Sequence, residues 1–232
     1  MLDITKIKAI LWDLDDTLYS RVNAARCVFP LMFKELLYVG RSDEEIEEMA
    51  DFMKANFKRN SVIHEDVFSA LFKRYPPDKP YIREDCVNFY HEHISKFAKP
   101  FPEVTDIIKK LRKLGIKTAV VTNVAEDRVY SQKRKMSSLG IEDLFDVIVY
   151  SGELGVHKPD RRIFDEAVKL LGVSNKECLF VGDDPISDVA GALSADMEVI
   201  WIDRFEYDGS FDKEPRVHRV SLVSEYFGKV FL

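Results

Sequence analysis

Short apolar runs rich in β-branched residues recur along this chain, and the segments between them read as helices. The runs cover residues 10–13, 117–122, 147–150, 179–182 and 199–202. Strands alternating with helices predict a parallel sheet covered on both faces, because each crossover helix must bury its apolar stripe against the sheet it returns to. The punctuation agrees: helical patterns over 104–114, 126–139 and 162–171 stop at Gly115, Gly140 and Gly172, and glycine readily takes the left-handed conformation that ends a helix. The expected fold class is α/β, a Rossmann-like doubly wound parallel sheet.

One stretch interrupts the alternation. From residue 20 to residue 98 only helical periods are found. They cover 23–38, a helix opened by the capping-box pattern Ser42-Asp43-Glu44-Glu45 and running toward Lys58, then 65–74 and 84–97. An all-helical insert after the first strand is expected to form a small second domain, leaving 1–19 and 99–232 as the core and 20–98 as the insert. Its aromatic residues, among them Phe29, Phe33, Phe68, Phe72, Phe89 and Tyr90, recur at helical spacing and read as the insert's own core.

Polar residues gather where the strands end. The first strand runs straight into Asp13-Leu14-Asp15-Asp16-Thr17. Side chains two apart on an extended segment point to the same side, so Asp13 and Asp15 can lean into one pocket. Two carboxylates that close repel each other unless a cation lies between them or one keeps its proton. Helix capping does not call for alternate acids closing an apolar strand. The other patterns are Thr122-Asn123 after the second strand, Lys158-Pro159 before a helix, and Gly182-Asp183-Asp184-Pro185-Ile186-Ser187-Asp188 after the fourth strand. In open α/β sheets ligands bind outside the carboxyl ends of the strands, so these residues are expected to converge.

Composition narrows the partners. The 232 residues are 46% hydrophobic and 32% charged, and the net charge of −6 is dispersed rather than blocked, which argues against a general nucleic-acid binder or a polybasic membrane anchor. A small-molecule partner is expected, with no nucleic acid and no membrane, and with the chain as monomer or homodimer. Cys27, Cys86 and Cys178 are odd in number and far apart, which suits neither a disulfide framework nor a zinc site and fits a reducing cytoplasm. His91 and His93, two apart on a helix, cannot form a metal pair, and His157 reads as local packing.

The four strand-end patterns, in this order, resemble those of the haloacid dehalogenase (HAD) superfamily of aspartate-nucleophile phosphohydrolases, with the helical insert matching the family's cap placed after the first motif. The resemblance implies a Mg²⁺-dependent hydrolase of a small-molecule phosphate monoester, working through an aspartyl-phosphate intermediate. It implies Asp13 as nucleophile, and Asp15 as the acid that protonates the leaving oxygen and the base that later activates water. Lys158 is implied to neutralise charge on the nucleophile and the phosphate, and Thr122 and Asn123 to serve in substrate binding. Mg²⁺ would be held by Asp13, the backbone carbonyl of Asp15, Asp183 and, directly or through water, Asp188. Asp183 and Asp184 are adjacent, and the family pattern favours Asp183. The cap would carry specificity, with Arg21, Arg26, Lys58 and Arg59 as basic candidates. The alternatives are a phosphomutase of the same superfamily, which returns the phosphoryl group to its substrate, and a catalytically silent binding module on the same fold.

Overall fold

The computed structural model describes residues 4–56, 65–204, 206–207 and 209–228; Lys58 and Arg59 lie outside them. The chain divides into two compact units, Met1–Tyr19 with Pro100–Leu232, and Ser20–Lys99. The second joint falls one residue later than the sequence suggests.

In chain order, β1 (Ala9–Trp12) precedes the helical unit, which contains α1 (Arg21–Met32), α2 (Asp43–Asn56), α3 (Glu65–Arg74) and α4 (Arg83–His93). The remainder comprises α5 (Pro102–Lys113), β2 (Lys117–Thr122), α6 (Val129–Ser138), β3 (Val147–Tyr150), α7 (Ser151–Leu154), α8 (Arg161–Leu171), β4 (Cys178–Gly182), α9 (Gly191–Ser194), β5 (Glu198–Ile202), β6 (Val217–Val220) and α10 (Val223–Phe227).

The strands form one parallel sheet in the order β3-β2-β1-β4-β5-β6. β1 lies at the centre, and every one of its residues is fully buried, as expected for a strand covered on both faces. Leu11 pairs with Ala119 on one side and Phe180 on the other. These three pack on one face with Ile163, Phe164, Ala167 and Val168 of α8. The sequence of α8 explains why it forms there: Asp160 caps its start by accepting from the Arg162 N–H at 2.9 Å, and Gly172 at φ +68° closes its end. On the other face Trp12 stacks on Phe227 of α10, with ring centroids 6.1 Å apart. Burying aromatic side chains of this size stabilises a core by about 2–3 kcal/mol each.

The strand order reverses direction about β1, where the chain steps outward to β2 on one side and to β4 on the other. That is the topological switch point, and the crevice at the carboxyl ends of β1 and β4 is where such sheets hold ligands.

The structure departs from the sequence expectation at two places. The sixth strand, β6, is short and partly exposed, with the polar His218 and Arg219 between its two valines, so it carries no apolar-run signal. The helix expected over 23–38 stops as α1 at Met32. Beyond it the chain stays helical through a wider turn over Phe33–Leu37, closed by the Tyr38 N–H on the Phe33 carbonyl at 2.7 Å. Within the helical unit Ser42 and Glu45 form the reciprocal capping box at the start of α2. Phe29, Phe33, Phe68, Phe89 and Tyr90 are buried in it. No helix among the described residues is long and apolar enough to cross a membrane.

Candidate active site

Three buried carboxylates, Asp13, Asp183 and Asp188, offer oxygen atoms that all lie within 4.8 Å of one another. Backbone geometry places them. Asp13 follows β1 and its N–H is bound by the Val181 carbonyl of β4 at 2.9 Å, so the first carboxylate hangs beside the loop that carries the other two. In that loop one Asp188 oxygen accepts from the N–H groups of Asp183 and Asp184, at 3.0 and 2.9 Å, which folds the turn back on itself. Thr17 reaches the Asp183 carboxylate from the β1 loop at 3.5 Å. Asp184 serves differently: its carboxylate accepts from the N–H groups of Ile186 and Ser187 at 2.9 and 2.6 Å, a capping arrangement at the start of the following turn.

Lys158 lies fully within this group. Its ammonium donates to Asp13 at 2.6 Å and to Asp188 at 2.7 Å. Burial alone would lower the lysine's pKa, but the carboxylates of Asp13 and Asp188 outweigh it and raise the value. For Asp13 the balance goes the other way. Burial pushes its carboxyl up to about 7, Lys158 opposes the rise, and the negative charges of Asp188 and Asp15 add to it. Three buried carboxylates with one ammonium, bonded to two of them, are thus short of positive charge. A divalent cation would remove that deficit, and Mg²⁺ prefers hard oxygen donors such as these. The residues therefore fit the metal.

Lys158 is held from behind by Asn123. The Asn123 carbonyl oxygen accepts from the Lys158 N–H at 2.8 Å, and its amide donates to the Lys158 carbonyl at 3.0 Å. The Lys158-Pro159 peptide is cis. Asn123, expected in substrate binding, thus has both ends of its amide engaged by the Lys158 backbone. Ser151 braces the same loop, accepting from the Val124 N–H at 2.8 Å and donating to its carbonyl at 3.0 Å, with the His157 ring on the same hydroxyl at 2.8 Å.

Asp15 belongs to a neighbouring network that sequence reasoning missed. Its carboxylate accepts from the Tyr19 hydroxyl, from Lys135 at 2.6 Å and from Gln132 at 3.2 Å. Gln132 also donates to the Thr122 hydroxyl at 2.8 Å. A hydroxyl that accepts one bond still has its own hydrogen to donate, so the Thr122 hydroxyl retains a donor. Of the basic candidates on the helical unit, Arg26 is engaged within that unit by Glu47 and by Asp51, the latter at 3.0 Å.

Gly182 explains how close Asp188 comes. A Cβ at that position would lie 2.5 Å from the Asp188 carboxylate oxygen that binds the loop N–H groups, well inside van der Waals contact for a carbon. Gly182→Ala should displace Asp188 and with it Lys158, lowering phosphatase turnover by roughly tenfold to a hundredfold, as steady-state kinetics would measure. Wild-type turnover in that variant would mean that Asp188 need not hold this position.

Comparison with known proteins agrees with the geometry. Residues 10–202 match the family model of haloacid dehalogenase-like hydrolases. A glyceraldehyde 3-phosphate phosphatase of Methanopyrus kandleri is 34% identical over 212 residues, spanning 90% of this chain and 88% of the relative. A phosphoserine phosphatase of Thermus thermophilus is 36% identical over 104 residues, 45% of this chain and 41% of that protein. Among solved structures, the magnesium-bound HAD hydrolase YfnB of Bacillus subtilis superposes with a TM-score of 0.76 at 17% identity, covering 97% of this chain and 99% of that one, which speaks for the fold alone. With the parallel core and the family match in agreement, the chain belongs to the haloacid dehalogenase-like hydrolases and is a phosphatase of that family.

Proposed function

We propose that the protein hydrolyses a small phosphate monoester in two steps, with Asp13 as nucleophile, Asp15 as acid and base, and Mg²⁺ as cofactor. The observation that carries this is the pairing of the two aspartates with different partners. Asp13 lies in a buried, electron-rich group with Lys158, Asp183 and Asp188, whereas Asp15 lies in a network of donors that reaches Thr122. One environment suits attack on phosphorus, and the other suits proton exchange.

In the first step an Asp13 carboxylate oxygen forms a bond to phosphorus, and the ester oxygen departs with the bonding pair and takes a proton from Asp15. The alcohol leaves and an aspartyl-phosphate remains. In the second step Asp15, now a carboxylate, takes a proton from water as that water attacks phosphorus, releasing phosphate and restoring Asp13. Lys158 stabilises the negative charge that builds on the phosphoryl oxygens, and Thr122 donates to one of them. Asn123 acts by fixing the Lys158 backbone. Asp13, Asp183, the Asp15 carbonyl and, through water or directly, Asp188 would hold Mg²⁺, which when bound supplies charge neutralisation for the phosphoryl group.

The helical unit is assigned the part of a cap that selects the ester's organic portion. Relatives named glyceraldehyde 3-phosphate phosphatase, including one spanning 90% of this chain, put a three-carbon phosphate first among the candidates. The dispersed charge of −6 suits a dissolved small ester in the cytoplasm, without nucleic acid or membrane, handled by a monomer or homodimer. Phosphate release should be measured from glyceraldehyde 3-phosphate, phosphoserine, sugar phosphates and nucleotide monophosphates with Mg²⁺. At least one small ester is expected to turn over with no added bisphosphate. Turnover only with a bisphosphate activator, and no free phosphate, would instead establish a phosphomutase.

A further inference from the structure

We propose that Lys135 and Gln132 are positioning residues for Asp15, and that Gln132 registers the acid/base carboxylate against the phosphoryl-binding hydroxyl of Thr122. The proposal rests on the reading of Asp15 as acid and base, and begins from an oddity of α6. The inward face of that helix carries Val129, Gln132, Lys135 and Met136, so half of it is polar. Lys135 is 5% exposed and Gln132 is 6% exposed. Lysine is almost never buried unless paired, because its ammonium loses hydration. Gln132 is also the single glutamine in the whole chain.

The partners account for both. The Lys135 ammonium donates to one Asp15 oxygen at 2.6 Å, the oxygen that also receives the Tyr19 hydroxyl, and lies 5.3 Å over the Tyr19 ring. The Gln132 amide donates to the second Asp15 oxygen at 3.2 Å and to the Thr122 hydroxyl at 2.8 Å. Residues three apart on a helix share a face, so one rigid element fixes both oxygens of the carboxylate. An oxygen already accepting from an ammonium and a phenol has no room for a proton of its own, and the proton exchanged with substrate is therefore carried by the oxygen that faces Gln132. Because Gln132 also holds Thr122, a phosphoryl oxygen bound there has a set distance from that proton.

The test compares leaving groups. An alkyl phosphate needs a proton on its departing oxygen, whereas 2,4-dinitrophenyl phosphate does not. Lys135→Met and Gln132→Leu should each lower kcat/KM for the alkyl ester by roughly tenfold to a hundredfold, chiefly through kcat. In kcat/KM, which reports steps up to phosphoenzyme formation, the dinitrophenyl ester should lose only a few-fold, and Lys135→Arg should recover much of the alkyl activity. In the double variants with Asp15→Asn, neither substitution should add to the loss caused by Asp15→Asn alone, as holds for groups acting through one another. Equal losses on both esters, or fully additive losses, would overturn the proposal. If Asp15→Asn itself showed no dependence on the leaving group, the acid/base reading would be the part that fails. Should Lys135→Met not fold by circular dichroism, the Gln132→Leu cycle decides alone.

Discussion

Asp13→Asn is expected to abolish turnover, by four orders of magnitude or more on the scale that removal of a covalent nucleophile costs, while the protein remains folded. The amide keeps the shape of the carboxylate but cannot form the aspartyl-phosphate. The electrostatics add a second expectation. Burial and the neighbouring carboxylates push the Asp13 carboxyl up to about 7, so above that pH its charge is held at a cost to the metal-free protein. A neutral side chain removes the cost, and the variant's Tm in chelator at pH 8 should equal or exceed that of the parent. Asp15→Asn should behave differently, because attack on an activated aryl phosphate needs no acid but release of the phosphoenzyme needs a base. Mass spectrometry of that variant should detect a bound phosphoryl group, which the double variant Asp13→Asn/Asp15→Asn should lack. Turnover within tenfold of wild type in Asp13→Asn would remove this residue from the chemistry.

Legibility in the sequence followed the range of the interactions. The spans of β2 and β3 could be read to the residue because six and four consecutive residues carry the strand signal by themselves. Asp13, Lys158, Asp183 and Asp188 stood out because each belongs to a short polar pattern that follows a strand or precedes a helix, which is a local signal. The network around Asp15 could not be read. Lys135 and Gln132 act on a residue 120 and 117 positions away, and on their own helix they look like the solvated face of a polar segment. Nothing local separates a buried lysine with a distant partner from an exposed one. Asn123 shows the same limit: adjacent to Thr122 it reads as part of the substrate site, but its amide is bonded to a backbone 35 residues on. A single buried polar residue on the inward stripe of a crossover helix is the one signal that could have pointed to Gln132 and Lys135, once the helix's orientation on the sheet was known.

The largest effect after loss of the nucleophile should come from the metal. Chelation should abolish activity, Mg²⁺ should restore it, and Ca²⁺ should restore it poorly, since its looser and larger coordination misplaces the oxygens around phosphorus. The two adjacent acids then separate by geometry. Asp183 shares the carboxylate group with Asp13 and Asp188, whereas Asp184 is spent on the N–H groups of Ile186 and Ser187. Asp183→Ala should raise the Mg²⁺ concentration for half-maximal activity by about a hundredfold or more, exceeding what loss of a supporting residue costs. Asp184→Ala should leave that concentration near the parent's and instead cost about 1 kcal/mol of stability, the usual loss of a cap. The pH dependence has a definite sign. Between the ordinary carboxyl value of 3.8 and about 7 the folded chain holds the Asp13 proton that the unfolded chain releases, so metal-free stability falls as pH rises through that window. Lys158, raised from an ordinary value of 10.5, keeps its proton throughout the window and does not intrude. A cation that binds the Asp13 carboxylate offsets the penalty only where the carboxylate is ionised. Mg²⁺ should therefore raise Tm more at pH 8 than at pH 6, as measured by differential scanning calorimetry in matched buffers. A shift independent of pH would detach Asp13 from the metal, and an equal or greater loss of Mg²⁺ affinity in Asp184→Ala would transfer the ligand role to that residue.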